Sequence, residues 1–108
     1  MERNRDFVYL DTFIWDTAKN ELNKAKHNGL SFEIASRVFN DPWLYNDYDY
    51  FHSDEEHREK YIGRIDNYFI ASVITTDRDG FIRLVSARKA TKTEVRLYEQ
   101  NAKRIQGY

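Results

Sequence analysis

The chain has 108 residues, 41 % hydrophobic and 32 % charged, with a net charge of −1 at pH 7. That length supports one core and a single domain over 1–108. The lack of cysteine excludes disulfides, thiolate nucleophiles and cysteine zinc sites together, and no apolar run approaches the roughly 18 residues of a membrane span.

Residues 7–15 predict a strand (Phe-Val-Tyr-Leu-Asp-Thr-Phe-Ile-Trp). Asp16 then caps a helix whose expected buried stripe is Ala18, Leu22 and Ala25, and Gly29 supplies a left-handed stop. Ser31 opens a second, shorter helix with Phe32, Ala35, Val38 and Phe39 inward. Asp41-Pro42 ends it, because a residue before proline is pushed out of the helical region. The aromatic run 43–50 predicts a strand, followed by a polar loop through His57. Residues 60–66 and 68–76 predict two more strands, the second almost continuously apolar and therefore central. Asp77-Arg-Asp-Gly80 reads as a hairpin turn. A strand over 81–88 and a helix over about 91–104, with Val95, Tyr98, Ala102 and Ile105 inward, complete the order β-α-α-β-β-β-β-α. This is an α+β domain with a mainly antiparallel sheet and helices packed on it.

Charge is segregated along this order. Residues 41–59 hold seven acids against Arg58 alone, whereas Arg83 to Arg104 hold seven Lys or Arg against two Glu. The basic stretch can bind phosphate despite the near-neutral total. Simple alternation along its strand sends Arg83 and Arg88 to opposite faces, and Lys89 follows at the strand exit. Thr91 and Glu94 fit a capping box, which brings Lys92 and Arg96 into the first turns of the helix. A plain solvated edge strand with an amphipathic helix explains the same stretch. The first fifteen residues are too polar for a secretory leader, which points to a cytoplasmic protein without membrane contact.

Three ordered blocks resemble a known family. Trp15-Asp16-x-x-Lys19, Asn23-x-x-Lys26-His27, Ser31-Phe32-Glu33-x-Ala35 and Val38-Phe39-x-Asp41-Pro42 form the first. His52-Ser53-x-x-Glu56-x-Arg58 before Ile62-Gly63 forms the second, and Arg83, Ser86-Ala87-Arg88-Lys89-Ala90-Thr91, Glu94 and Tyr98 the third. Together they resemble the BrnT-type toxins of bacterial type II toxin-antitoxin systems. The resemblance implies a RelE-like fold and a metal-independent endoribonuclease that cleaves mRNA and inhibits translation, without a cofactor. It also implies a BrnA-like ribbon-helix-helix antitoxin in a 2:2 heterotetramer, with operator DNA met only through that antitoxin.

Metal-free RNA cleavage needs a base for the 2′-hydroxyl, cations for the phosphorane and an acid for the leaving 5′-oxygen. Arg64, Arg83 and Arg88 are the candidate phosphorane cations, expected to converge in one pocket, because a guanidinium stays charged and meets two oxygens at once. Lys26, Lys89 and Lys92 are candidate backbone contacts. His27 and His52 are the acid-base candidates, since imidazole titrates near neutrality. His27 is equally well explained as a helix C-terminal partner of the dipole, and His52 as a member of an ion pair with the acids that follow it. A chelate of His52, Glu56 and His57 is a weaker alternative, so no metal is expected. Glu33 and Glu94 are accounted for by helix N-termini, and Trp15, Phe32, Phe39 and Tyr98 by the core. Tyr45, Tyr48, Tyr50 and Phe51, aromatics set among acids, suit a basic protein segment and are assigned to antitoxin contact. A non-catalytic subunit that binds nucleic acid or protein through the same basic elements is the alternative function.

Overall fold

The computed structural model describes residues 6–48, 50 and 57–107. Ten elements follow one another: β1 (Phe7–Leu10), β2 (Phe13–Asp16), α1 (Thr17–Lys26), α2 (Phe32–Ala35), a 3₁₀ segment (Ser36–Asn40), β3 (Tyr45–Asn46), β4 (Glu59–Ile65), β5 (Phe69–Arg78), β6 (Phe81–Lys89) and α3 (Lys92–Gln106). The sheet runs β1-β2-β6-β5-β4-β3, antiparallel except where β2 pairs with β6. This is the expected α+β class, with β5 central as its apolar sequence implied.

The strand expected over 7–15 is a hairpin. Asp11 adopts φ 55° and folds the chain back, so that Leu10 faces Phe13. Asx residues tolerate this left-handed region and so make turns that hydrophobic alternation does not reveal. The expected strand over 43–50 shrinks to Tyr45 and Asn46, paired with Ile62 and Tyr61. Between β5 and β6, Asp79 (φ 51°) and Gly80 (φ 88°) form the two-residue left-handed turn that matches strand twist.

Two cores form on the two faces of the sheet. One packs Trp15, Phe32, Val38, Ile65, Val73 and Leu84 beneath α2 and the 3₁₀ segment; the other packs Ile62, Ile70 and Tyr98 beneath α3. Gly63 permits the close approach of the 3₁₀ segment, since a Cβ there would lie 2.8 Å from Leu44 Cδ1 and 3.0 Å from Val38 Cβ. Of the residues expected inward on α3, Tyr98 is buried, but Ile105, in the last turn of the helix, is 52 % exposed.

A β-bulge changes the faces of β6. Its register runs Ile74↔Ser86 and then Thr75↔Leu84, leaving Val85 as the extra residue. Directly opposed residues share a face, so Arg83, Ser86 and Arg88 stand together with Thr76, Ile74 and Ser72. The two arginines expected on opposite faces are therefore on the same one.

Helix α1 is rotated half a turn from the expected orientation. Ala18, Leu22 and Ala25 face solvent, and the buried residue is Asn23. Its Nδ2 donates to Leu30 O at 3.0 Å and Ala87 O at 2.9 Å, while its Oδ1 accepts from Ala87 N at 3.1 Å. The β2 ladder covers only Ile82 and Arg83 of β6, and farther along the strand this side chain does the work of a neighbouring backbone. Asn20 Oδ1 likewise accepts from Phe32 N at 2.8 Å. Unpaired amides in the interior cost more than an exposed leucine, so the amides set the rotation.

Asn23→Ala should lower stability by about 2–4 kcal/mol, because three buried backbone groups lose partners, whereas Leu22→Ala should change it by about 0.5 kcal/mol or less. Urea denaturation checks both, and equal effects would contradict this account of α1.

Candidate functional site

Asp41 stands where the 3₁₀ segment ends, and its carboxylate is shared among three elements. Oδ1 accepts from Trp43 N at 2.8 Å; Oδ2 accepts from Arg64 N of β4 at 2.7 Å and from the Tyr98 hydroxyl of α3 at 2.6 Å. Burial first, then the hydrogen bond to Asp41 and its charge, push Tyr98 up to about 12 against the opposing influence of Arg64. Tyr98 is therefore a fixed donor at neutral pH. The Arg64 guanidinium lies 5.9 Å from the centre of the Tyr98 ring, within cation–π reach.

Trp43, Arg64 and Tyr98 form the shared wall of two adjoining clefts. One, of about 400 Å³, is completed by Arg37, Asn40, Pro42, Asp66 and Asn67. The other, of about 640 Å³, continues along α3 past Arg96, Gln100 and Lys103. Arg37 is bonded to Asp66 at 3.0 Å. The groove thus sets the half-buried Trp43 ring beside Arg64, Arg96 and Lys103, with Glu99 as an acid on the α3 side, an arrangement that can hold a phosphate chain and stack a base. Sequence reading found Arg64 but gave Asp41 only a helix-ending role and Tyr98 only a core role. Nothing in the order of residues signals that one carboxylate will meet partners 23 and 57 positions away.

Arg88 is held elsewhere. Its guanidinium donates to both oxygens of Glu94, Nη1 to Oε1 at 2.8 Å and Nη2 to Oε2 at 3.0 Å. Lys60 Nζ also contacts Glu94 Oε2, and Ser72 Oγ donates to the same oxygen at 3.4 Å. The expected capping box is present, with Thr91 N donating to Glu94 Oε1 at 2.9 Å and Glu94 N to Thr91 Oγ1 at 3.2 Å. Burial alone would raise the Glu94 carboxyl, but the bonds from Arg88, Lys60 and the Thr91 amide outweigh it and hold it at about 2. The bond from Glu94 in turn raises Arg88. Lys60 lies 3.9 Å from Asp47 and 5.7 Å from the Tyr50 ring centre.

The expected convergence of Arg64, Arg83 and Arg88 in one cleft is not what the described residues show. Arg64 is tied to Tyr98 and Arg88 to Glu94, one turn earlier on α3, and Arg88 does not line the groove around Arg64. Arg83 is only 8 % exposed, with its guanidinium 5.7 Å from the Phe7 ring centre. The physical reason is the internal carboxylate: Glu94 binds the Arg88 guanidinium through both oxygens and so holds it one turn of α3 away from Tyr98 and Arg64.

His27 and Lys89 do share a cleft, of about 340 Å³, lined also by Leu30, Ile34 and Phe69 on the α1 side of the sheet. His27 is at the same time the C-cap of α1, with its backbone N–H donating to Asn23 O at 2.9 Å. Lys26 and Lys92 are exposed at the last turn of α1 and the first turn of α3. Tyr45 lines a small recess with Leu97 and Arg104, and Tyr48 is 85 % exposed. His52, Glu56 and Phe51 lie outside the described residues. Among those described, no three His, Asp or Glu side chains cluster as a metal site would require, and no helix is long and apolar enough to cross a membrane.

Comparison with known proteins adds two findings. The family model described as "Ribonuclease toxin, BrnT, of type II toxin-antitoxin system" matches residues 15–94. The fold is similar to the 1.1 Å crystal structure of the Brucella abortus ribonuclease toxin, BrnT, with a TM-score of 0.54 and 23 % identity over 72 % of this chain and 94 % of that one. No curated protein matches.

The depressed Glu94 carboxyl predicts an acid-sensitive stability. Its ordinary value is 4.5 and its folded value about 2, so this contribution is fully present above about pH 4.5 and lost as pH falls toward 2, on the order of 3 kcal/mol in all. Urea midpoints at neutral and acid pH should therefore show Glu94→Gln destabilised near neutrality but with a flatter acid limb than wild type. Parallel acid limbs would show that the cluster is not the source.

Proposed function

Because this chain belongs to the BrnT family of ribonuclease toxins of type II toxin-antitoxin systems, we propose that it is a metal-independent endoribonuclease that cleaves mRNA in the Arg64 groove and thereby stops translation. One observation supports the location above the others: Asp41 fixes the backbone of Trp43 and Arg64 and the hydroxyl of Tyr98. The Tyr98 ring and the backbone that carries Trp43 and Arg64 are thus set before any RNA arrives, with the Arg64 guanidinium 5.9 Å from the centre of that ring. Preorganised charge is worth most where negative charge develops, here on the phosphorane formed when a 2′-hydroxyl attacks its own phosphodiester. Arg64 would stabilise that charge, the half-buried Trp43 would stack a flanking base, the buried Tyr98 would support Arg64 from beneath, and Arg96 and Lys103 would draw the chain along α3.

Arg88 and Arg83 take a different part in this reading. With its charge matched by Glu94, Arg88 holds β6 against α3 and so supports the groove from outside it. The buried Arg83 is likewise a structural cation. Tyr98, donating to Asp41 and titrating near 12, does not serve as the base at neutral pH. His27 lies on the other face of the sheet from Arg64 and so cannot reach a phosphodiester in the groove; of the two acid-base candidates, proton transfer there is assigned to His52, on chemical grounds alone.

Membership of a type II system implies an antitoxin. The further proposal is that this antitoxin is a ribbon-helix-helix protein, assembled two copies to two, which carries all operator DNA contact and acts with the toxin in the cytoplasm. Tyr48, 85 % exposed, and Tyr50 would take part in that contact, next to the acidic residues of the same stretch.

Arg64→Ala should lower kcat/KM for RNA cleavage about 100-fold, the cost of losing one preorganised charge-stabilising donor, while leaving the melting temperature near that of wild type. A single-turnover cleavage assay on purified chain checks it. Wild-type rates in the variant would remove the groove from the mechanism, and a wild-type chain that binds RNA with steep salt dependence but never cuts it would favour a non-catalytic binding subunit.

A further inference from the structure

The cleft of His27 and Lys89 and the groove of Arg64 open at the same end of the sheet, on opposite faces. Asp66 and Asn67, in the β4–β5 turn, line the groove, and Phe69, two residues later, lines the cleft. Strand pairing gives the same picture, with Arg64 opposite Ile70 on the α3 face and Lys89 opposite Ala71 on the α1 face. Between the two stands Tyr68, 81 % exposed, on a turn closed by its own N–H to Ile65 O at 3.0 Å.

An aromatic ring presented to solvent on a short ordered turn, with a basic site on either side, is a stacking platform for a base. The cleft beyond it combines what a nucleotide needs. Phe69, Ile34 and Leu30 supply apolar walls for a base, and Lys89 and His27 supply hydrogen-bonding or cationic groups for its phosphate. Its volume of about 340 Å³ is enough for one nucleotide portion but not for a folded peptide segment.

We propose that bound RNA crosses the β4–β5 turn, stacks a base on Tyr68 and seats a further nucleotide in the His27–Lys89 cleft. This rests on the Arg64 groove being the RNA site and extends it to the opposite face of the sheet. Tyr68 and Lys89 are then positioning residues that fix the register of the chain at Arg64.

Fluorescence anisotropy with non-cleavable 2′-O-methyl oligoribonucleotides tests the path, using the full chain and two lengths, one of about four nucleotides that fills the groove alone and one about three times longer. Tyr68→Ala should raise the Kd of the longer oligonucleotide about tenfold and leave the shorter unchanged, in keeping with one stacked base. Tyr68→Phe should keep wild-type affinity for both, and Lys89→Ala should lower the salt slope of the longer one alone by about one. Wild-type affinity for the longer oligonucleotide in both Tyr68→Ala and Lys89→Ala, while Arg64→Ala weakens both lengths, would overturn the path and keep the groove. Indifference of both lengths to Arg64→Ala would overturn the groove and the path with it.

Discussion

The carboxylate of Asp41 is the constraint on which the candidate site depends. It accepts from the Trp43 amide, the Arg64 amide and the Tyr98 hydroxyl, and so joins the end of the helical segment, an inner strand of the sheet and the C-terminal helix at one point. Each bond to a charged acceptor contributes about 1.5–3 kcal/mol. More to the point, all three are directional, so they fix where the Tyr98 ring and the backbone of Trp43 and Arg64 stand relative to one another. The neighbouring Pro42 ends the helical segment and leaves Asp41 extended, at ψ 119°, free to reach across.

A second anionic centre determines which cations remain for a ligand. Glu94 is almost fully buried, and Arg88, Lys60 and the Thr91 amide converge on it. The basic character of the segment from Arg83 to Arg104 is therefore partly consumed inside the fold. Arg88 joins β6 to α3, whereas Arg96 and Lys103, farther along the same helix, line the open groove. A net charge near zero thus hides three populations of cation: those buried against acids or rings, those paired at the surface such as Arg37 with Asp66, and those facing the clefts.

Similarity to the Brucella abortus toxin extends over nearly all of that chain, and the family match runs from Trp15 in the first core to Glu94 at the start of α3. Both anionic centres lie within that span, as does the β4–β5 turn. Arg96, Tyr98 and Lys103, which form the α3 side of the groove, lie beyond its last residue.

What the sequence determined was everything that depends on neighbours along the chain. The Asp79-Gly80 turn, the capping box of Thr91 and Glu94, the apolar central strand and the α+β class all follow from local dihedral preference, periodicity and capping, which act within a few residues. The family blocks were legible for the same reason, being fixed residue types at fixed spacings. Tertiary structure alone decided the rest. Alternation could not foresee the bulge at Val85, which puts Arg83 and Arg88 on one face, because an extra residue in a ladder is defined only by the strand it is paired with. Periodicity put Ala18, Leu22 and Ala25 inward, yet Asn23 faces the core because Ala87 and Leu30 present backbone groups that only a side-chain amide can satisfy. The hydrophobic effect is non-directional and leaves a half-apolar helix free to rotate, whereas hydrogen bonds between distant residues are directional and choose one rotation. That difference is why the elements could be read in one dimension and the site could not.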